Sequence, residues 1–351
     1  LLRPVPSASS PSGPSLRQDL FGGRLSFESP VGIAAGFDKN ALLVPLYRVG
    51  ALTGLGFSEV GSVSALPAQG NEKPRCFRLP ADEAVINRIG LANEGSAAVA
   101  ERLTSFSGLS KRSATRVPVG VNIAKTHSPE ILGEAAIDDF VTSYRTLSPL
   151  ADFVVLNVSC PNTAEGKTFE DSTSLRQLLD AVSRERQCSA SAPPVLVKLS
   201  PPVDAASTAG SEQLRALVSI AQASGIVDGF VVSNTAGDRE VKLSPEGKEA
   251  VAAIGKGGLS GRPLCNRSTA TIRKVYELSG GSMPIIGVGG VDSAESAYAK
   301  IRAGASLVEV YTAIVYKGPG IFFDIHIGLR RLLEKDGFTS ISEAVGADFK
   351  T

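Results

Sequence analysis

Phe153-Val154-Val155-Leu156-Asn157-Val158-Ser159-Cys160-Pro161-Asn162-Thr163 is the stretch on which the fold turns. Its first four residues are apolar and rich in β-branched side chains, the pattern of a strand buried on both faces. Buried strands rarely end in two carboxamides, a hydroxyl and a thiol unless those groups have work to do. Pro161 ends the ladder because it has no N–H to donate. Cys160 is thus set at the carboxyl end of a strand, where α/β folds build their sites. The plainer alternative is a polar strand end satisfied by loop backbone.

Working outward, seven further apolar runs end in glycine or a polar residue: 31–37, 58–63, 118–124, 195–200, 229–235, 284–290 and 306–312. Helix-like patterns fill the intervals. Asp292 with Glu295 suits a capping box before the stripe Ala294, Ala297, Ile301, and Gly304 suits a C-cap. Ile325, Leu329, Leu332 and Leu333 repeat at helical spacing before Gly337. Eight strands alternating with helices is the count of a (β/α)8 TIM barrel with its active site at the C-terminal face of the strands. A doubly wound open sheet is the rival; eight regular units over about 280 residues favour closure. Residues 64 to 117 and 236 to 256 are expected to form loops or small excursions over the barrel top. Residues 1–18, rich in Pro and Ser, read as a linker, and 19–351 as one α/β domain. Because the sequence starts at Leu1 rather than Met, a missing N-terminal segment is expected to precede it.

Lys plus Arg number 36 against 35 Asp plus Glu, which leaves no electrostatic footprint for nucleic acid. The four cysteines, Cys76, Cys160, Cys188 and Cys265, form no C-x-x-C pair, so neither a metal site nor a disulfide framework is expected. No apolar stretch reaches the length of a membrane span.

The strand ends alone assemble a site. They offer Asp38 and Lys39, Ser62, Asn122, the run from Asn157, then Lys198, then Ser233-Asn234-Thr235, then Gly287-Val288-Gly289-Gly290, and Tyr311-Thr312. Glycines after strand seven and small polar groups after strand eight are where barrels hold a phosphate on backbone N–H groups. Asn122, Asn157, Asn162, Asn234 and Asn87 offer both donors and acceptors, which suits a polar heterocycle with amide-like edges. One of the two lysines could neutralise a substrate carboxylate and the other stabilise charge on a reduced cofactor. His326 and His127 read as surface or loop histidines.

Ala34-Ala35-Gly36-Phe37-Asp38-Lys39, Phe77-Arg78-Leu79-Pro80, Asn87-Arg88-Ile89-Gly90, the run 157 to 163, Gly257-Gly258-Leu259-Ser260-Gly261, Ile286-Gly287-Val288-Gly289-Gly290 and Ala344-Val345-Gly346-Ala347-Asp348 together resemble the membrane-associated class 2 dihydroorotate dehydrogenases. The likeness runs from about residue 19 to 349. It implies FMN on a (β/α)8 barrel, oxidation of dihydroorotate to orotate in pyrimidine biosynthesis, and a quinone as electron acceptor. By motif, Ala35, Gly36, Ser62, Asn122, Asn157, Lys198, Ser233, Gly258, Gly289, Gly290, Tyr311 and Thr312 would hold FMN. Lys39, Asn87, Arg88, Ile89, Gly90, Leu91, Asn157, Asn162, Asn234 and Thr235 would hold the substrate. The resemblance also implies a monomer that reaches the mitochondrial inner membrane through the missing N-terminal segment.

Departures from the family pattern bear on the chemistry. Cys160 stands where class 2 members usually place serine; an unperturbed thiol titrates at ~8.5, so it is the easier base to generate. Leu91 replaces an aromatic residue, and Glu165-Gly166-Lys167 replaces Gly-Leu-Arg in the segment expected to close over Cys160. Ala124, Thr126 and Glu309 stand for Gly, Asn and Gln, and are expected to remove no charge partner. Three other readings stay open: a fumarate-linked oxidation, a flavin- or pyrimidine-binding barrel without turnover, and a phosphate-binding aldolase.

Overall fold

The apolar runs become strands because each can bury both faces, one against the barrel interior and one beneath the helices. In the computed structural model, which describes residues 13–106, 117–159, 169–188 and 191–350, the chain opens with an antiparallel hairpin. Its strands are β1 (Gln18–Leu20) and β2 (Leu25–Phe27). β3 (Val31–Ile33) and β4 (Phe57–Val63) begin a barrel, and β5 (Cys76–Leu79) and β6 (Ala84–Asn87) leave it as an antiparallel pair. β7 (Val119–Ile123), β8 (Phe153–Asn157), β9 (Val195–Leu199) and β10 (Val227–Val232) resume it. β11 (Gly258–Gly261) departs again, and β12 (Ile285–Val288) and β13 (Leu307–Val310) complete it.

Pairing runs β3-β4-β7-β8-β9-β10-β12-β13 and returns to β3, parallel throughout, so the sheet is closed. The eight barrel strands coincide with the eight runs read from the sequence. Val119, Val121, Val154, Leu156, Val195, Val197, Phe230 and Val232 are buried in one core shared with the helices. The amino end of the barrel is stoppered by aromatic rings. Phe27 from the hairpin lies edge-on to Phe57, 5.7 Å between centroids, and Phe57 to Phe153 at 6.2 Å.

The two excursions meet in a small antiparallel sheet, order β11-β6-β5, with its own core of Leu79, Ala84, Ile86 and Leu259. β5 and β6 come from the interval 64–117, as expected, whereas β11 begins just beyond 236–256.

Three details differ from the sequence reading. The capping box before helix Ala294–Arg302 is Ser293 with Ser296, not Asp292 with Glu295, because Asp292 is engaged by Arg262 Nε at 2.9 Å. Within the stretch read as linker, Ser15 pairs with Ser340, Leu16 is buried and the Gln18 amide donates to Ser306 O. The folded body thus takes in residues whose composition suggested a tether. His326 is half-buried rather than surface, its Nδ1 3.3 Å from Ser29 Oγ, and burial pulls its pKa down.

Candidate active site

The barrel strands, β7 excepted, bring their carboxyl ends to one cavity, with β6 and β11 along its side. After β3 the chain turns through Gly36, whose φ is +97°, and Gly36 N donates to Gly61 O at 2.6 Å. Asp38 holds this turn by accepting from Leu42 N and Leu43 N, both at 2.8 Å. Lys39 is thereby directed into the cavity, where its ammonium donates to Gly36 O at 2.5 Å. Burial draws the Lys39 pKa below the ordinary lysine value, and Arg75 adds to this against Cys76 and Asp38.

A carboxamide network spans β8 and β10. The Asn157 amide donates to Ser62 Oγ at 3.1 Å, and its carbonyl accepts from Ser159 Oγ at 3.2 Å. Asn234 Nδ2 reaches Ser159 O and Oγ at 3.0 and 3.1 Å. Each carboxamide is therefore fixed in orientation by strand-end neighbours rather than by packing alone.

Opposite these, Gly289 and Gly290 both adopt positive φ, +121° and +71°. They bring the chain against the first turn of helix Cys265–Leu278. A Cβ on Gly290 would lie 2.6 Å from Cys265 Cβ and 2.7 Å from Cys265 N, so only glycine fits. Backbone N–H groups of such a glycine turn make a favourable seat for an anion. Tyr311 OH leans toward Gly36 O at 3.4 Å, and Thr312 Oγ1 meets Ser260 Oγ at 2.9 Å, which ties the start of helix Thr312–Lys317 to the side sheet.

Beneath the cavity lies a charged layer. Lys198 from β9 sits 3.4 Å from Glu59 Oε1 of β4, and Asn122 Nδ2 donates to the same oxygen at 2.7 Å. Glu309 of β13 joins them. All four are buried. Burial would lower the Lys198 pKa, but Glu59 and Glu309 outweigh it and hold it above its usual value. Burial first, and then the charge of Glu59, push Glu309 well above the usual carboxylate range; Lys198 opposes the shift.

Of the residues singled out from sequence, Ala35, Gly36, Lys39, Ser62, Asn87, Ile89, Gly90, Leu91, Asn157, Lys198, Ser233, Asn234, Thr235, Gly289, Gly290, Tyr311 and Thr312 line the cavity. Three do not. Asn122 lies below it, bound to Glu59. Arg88 turns away to Ile254 O at 2.8 Å and stacks over Phe77. Gly258 backs onto Thr235, where a side chain would collide with the threonine hydroxyl. Cys160, Asn162 and the segment 165–167 lie outside the described residues. Sequence reasoning missed Glu59, Arg262 and Asp292, although Arg262 directly follows the 257–261 glycine motif that it did single out. It treated Glu309 as an inert replacement, whereas Glu309 faces the cavity and acts on Lys198.

The arrangement fits an anionic cofactor with a polar ring. Ser233 Oγ is a buried polar atom with no hydrogen-bond partner among the described residues, and Gly289-Gly290 leave a cradle that a Cβ would fill. Among the described residues no group of His, Cys, Asp and Glu is placed to hold a metal ion, and no helix is long and apolar enough to cross a membrane.

A sequence model described as Dihydroorotate dehydrogenase matches residues 15–333. A Deinococcus deserti protein named dihydroorotate dehydrogenase (quinone) is 45% identical over 97% of this chain and 88% of its own length. The mitochondrial dihydroorotate dehydrogenase (quinone) of Mus musculus is 42% identical over 92% of this chain and 78% of its own. Among solved structures, the ligand-free enzyme of Eimeria tenella superposes with a TM-score of 0.85 at 34% identity, covering 98% of this chain and 94% of that one. With a closed parallel barrel, a glycine cradle at a helix start and a match along nearly its whole length, this chain belongs to the dihydroorotate dehydrogenase family.

Proposed function

We propose that this protein oxidises dihydroorotate to orotate in pyrimidine biosynthesis, with FMN as its cofactor and a quinone as electron acceptor. The carrying observation is the convergence of Lys39 with Asn87, Asn157 and Asn234 on one cavity whose far wall is the glycine cradle. A cation and several orientable carboxamides suit a pyrimidine that bears a carboxylate and amide-like edges. Bound FMN would supply the hydride acceptor for carbon 6 of the substrate and hand the electrons on.

The remaining steps fall to the chain itself. Lys39 neutralises the substrate carboxylate and fixes its position; Asn87, Asn157, Asn234 and Thr235 align the ring through its amide edges. Cys160, three residues beyond the end of β8 in the sequence, takes the proton from carbon 5, which the adjacent carbonyl acidifies. Ser233 Oγ, the backbone of Gly289 and Gly290, and Lys198 hold the cofactor, with Lys198 placed to stabilise negative charge. A quinone acceptor locates the protein at a membrane surface, reached as a monomer through an N-terminal segment. The name of the mouse relative supports a mitochondrial location, while the Deinococcus relatives support a bacterial one.

The decisive experiment is flavin absorbance of the purified protein, without oxygen, before and after dihydroorotate. Bleaching supports the reading; a yellow protein that stays yellow refutes turnover and leaves a binding barrel. Cys160→Ala should bleach far more slowly, and reduction at the full rate would remove Cys160 from the mechanism. Cysteine at this position also motivates the fumarate-linked alternative, which reoxidation by fumarate but not by quinone would favour.

A further inference from the structure

Glu59 and Glu309 put two carboxyl groups beside one ammonium in a buried layer at the cavity floor, the residues being 1%, 1% and 5% exposed. Taken as two carboxylates, the arrangement leaves Glu59 Oε2 and both oxygens of Glu309 without a donor among the described residues. Three orphaned acceptors and a net negative charge in one buried layer are more than a folded protein ordinarily tolerates. A single added proton changes this. It makes Glu309 a donor toward Glu59, the charged group that acts on it most strongly, and leaves Glu59 to pair with Lys198. The charged groups acting on Glu309 are Glu59 from β4 and Lys198 from β9, and the neutral polar contact of Glu59 is Asn122 from β7.

We propose that Glu309 is a neutral carboxylic acid in the folded protein at neutral pH, donating its proton to Glu59, and that it serves as a positioning residue that keeps the layer under the cavity uncharged overall. In this state Lys198 is neither over-neutralised nor drawn away from the cavity. Loss of the proton to solvent at higher pH turns the layer net negative, which disfavours any anionic or electron-accepting group above it. The second part rests on the reading of the cavity as a flavin site; the first does not.

The test compares the wild-type protein with Glu309→Gln, a neutral isostere that can still donate to Glu59. The infrared spectrum of the wild type at neutral pH should contain an unionised carboxyl C=O band that Glu309→Gln lacks; its absence from the wild type overturns the proposal. The stability readout has a definite sign. A carboxyl whose folded pKa is raised above 4.5 contributes stability in full below that value and loses it as pH rises toward the folded pKa. The unfolding equilibrium constant of the wild type relative to Glu309→Gln should therefore increase about tenfold per pH unit above ~4.5. A ratio independent of pH refutes the idea even where the infrared band is obscured. In holoenzyme, Glu309→Gln should leave the midpoint potential of the bound flavin unchanged at neutral pH. A shift to more positive potential would mean that the substitution removed a negative charge, and so that Glu309 was ionised. A protein that binds no flavin defeats the cofactor reading yet leaves the infrared and unfolding measurements intact.

Discussion

Gly290→Ala separates two costs that are usually confounded, a backbone that disfavours a side chain and a space that has no room for one. At φ +71° an alanine loses about 1–2 kcal/mol from left-handed strain alone. Its Cβ would also stand 2.6 Å from Cys265 Cβ and 2.7 Å from Cys265 N. The first turn of helix Cys265–Leu278 must therefore move, at an overpacking cost of about 1–3 kcal/mol. Scaling the specific unfolding entropy to 351 residues gives roughly 0.7 kcal/mol per degree, so the total predicts a Tm lower by ~3–7 °C. The same collision shifts the Gly289 and Gly290 N–H groups that would hold a phosphate. One charge-assisted hydrogen bond lost, at about 1.5–3 kcal/mol, weakens FMN binding roughly 10- to 150-fold.

The control is Gly225→Ala. Gly225 has φ +67° and nothing within 4 Å of its would-be Cβ, so it carries the strain without the collision. It should lower Tm by ~1.5–3 °C and leave FMN affinity untouched. Thermal unfolding and fluorescence titration of apoprotein with FMN measure both variants. Equal losses of Tm, with Gly290→Ala binding FMN as the wild type does, would refute the argument that close approach makes the cradle.

Phe57→Ala removes the middle ring of the aromatic stopper between Phe27 and Phe153. It should cost about 3–5 kcal/mol yet leave the flavin-to-protein ratio unchanged, because the stopper closes the end opposite the cavity; both are read by a melt and a spectrum. Lys300 is buried among Cys265 O, Ser268 Oγ and Thr269 Oγ1 at 3.0–3.2 Å, and burial pulls its pKa from 10.5 to about 8. Between those values the unfolded chain binds more protons, so this group makes stability rise with pH there, by up to roughly 3 kcal/mol. Urea midpoints of wild type minus Lys300→Met should trace that rise, and a difference flat from pH ~7 to ~11 would contradict it.

The barrel was legible because closure makes every strand obey one rule. A parallel strand covered on both sides shows as a short apolar run, and its carboxyl end shows as the place where polar residues begin. Asn157, Asn234 and Lys39 were readable for the same reason, since each stands just past such a run. What escaped was chemistry inside the runs. Glu59 sits in the middle of β4 and Glu309 next to the end of β13, 250 positions apart, and only barrel closure brings both to Lys198. A glutamate read in place of a glutamine thus looked harmless, when in the fold it adds a second acid to a single ammonium. Asn122, which the family resemblance places at the cofactor, donates its amide to Glu59 in the layer below, a contact that its place near a strand end did not announce. The capping box slipped by one residue because Arg262, thirty positions away, takes the carboxylate that would have capped the helix.

The seam between β3 and β13 has a consequence for how the protein is made. β3 is complete at Ile33, but its partner on that side ends only at Val310. At about 5–20 residues per second, a ribosome needs roughly 14–55 s to cover that interval. Throughout it the nascent sheet carries an unpaired edge, the feature that invites pairing with other chains. Release from this exposure comes only when nearly the whole polypeptide has emerged, so the interval before seam closure is when a holding chaperone would matter most to this chain.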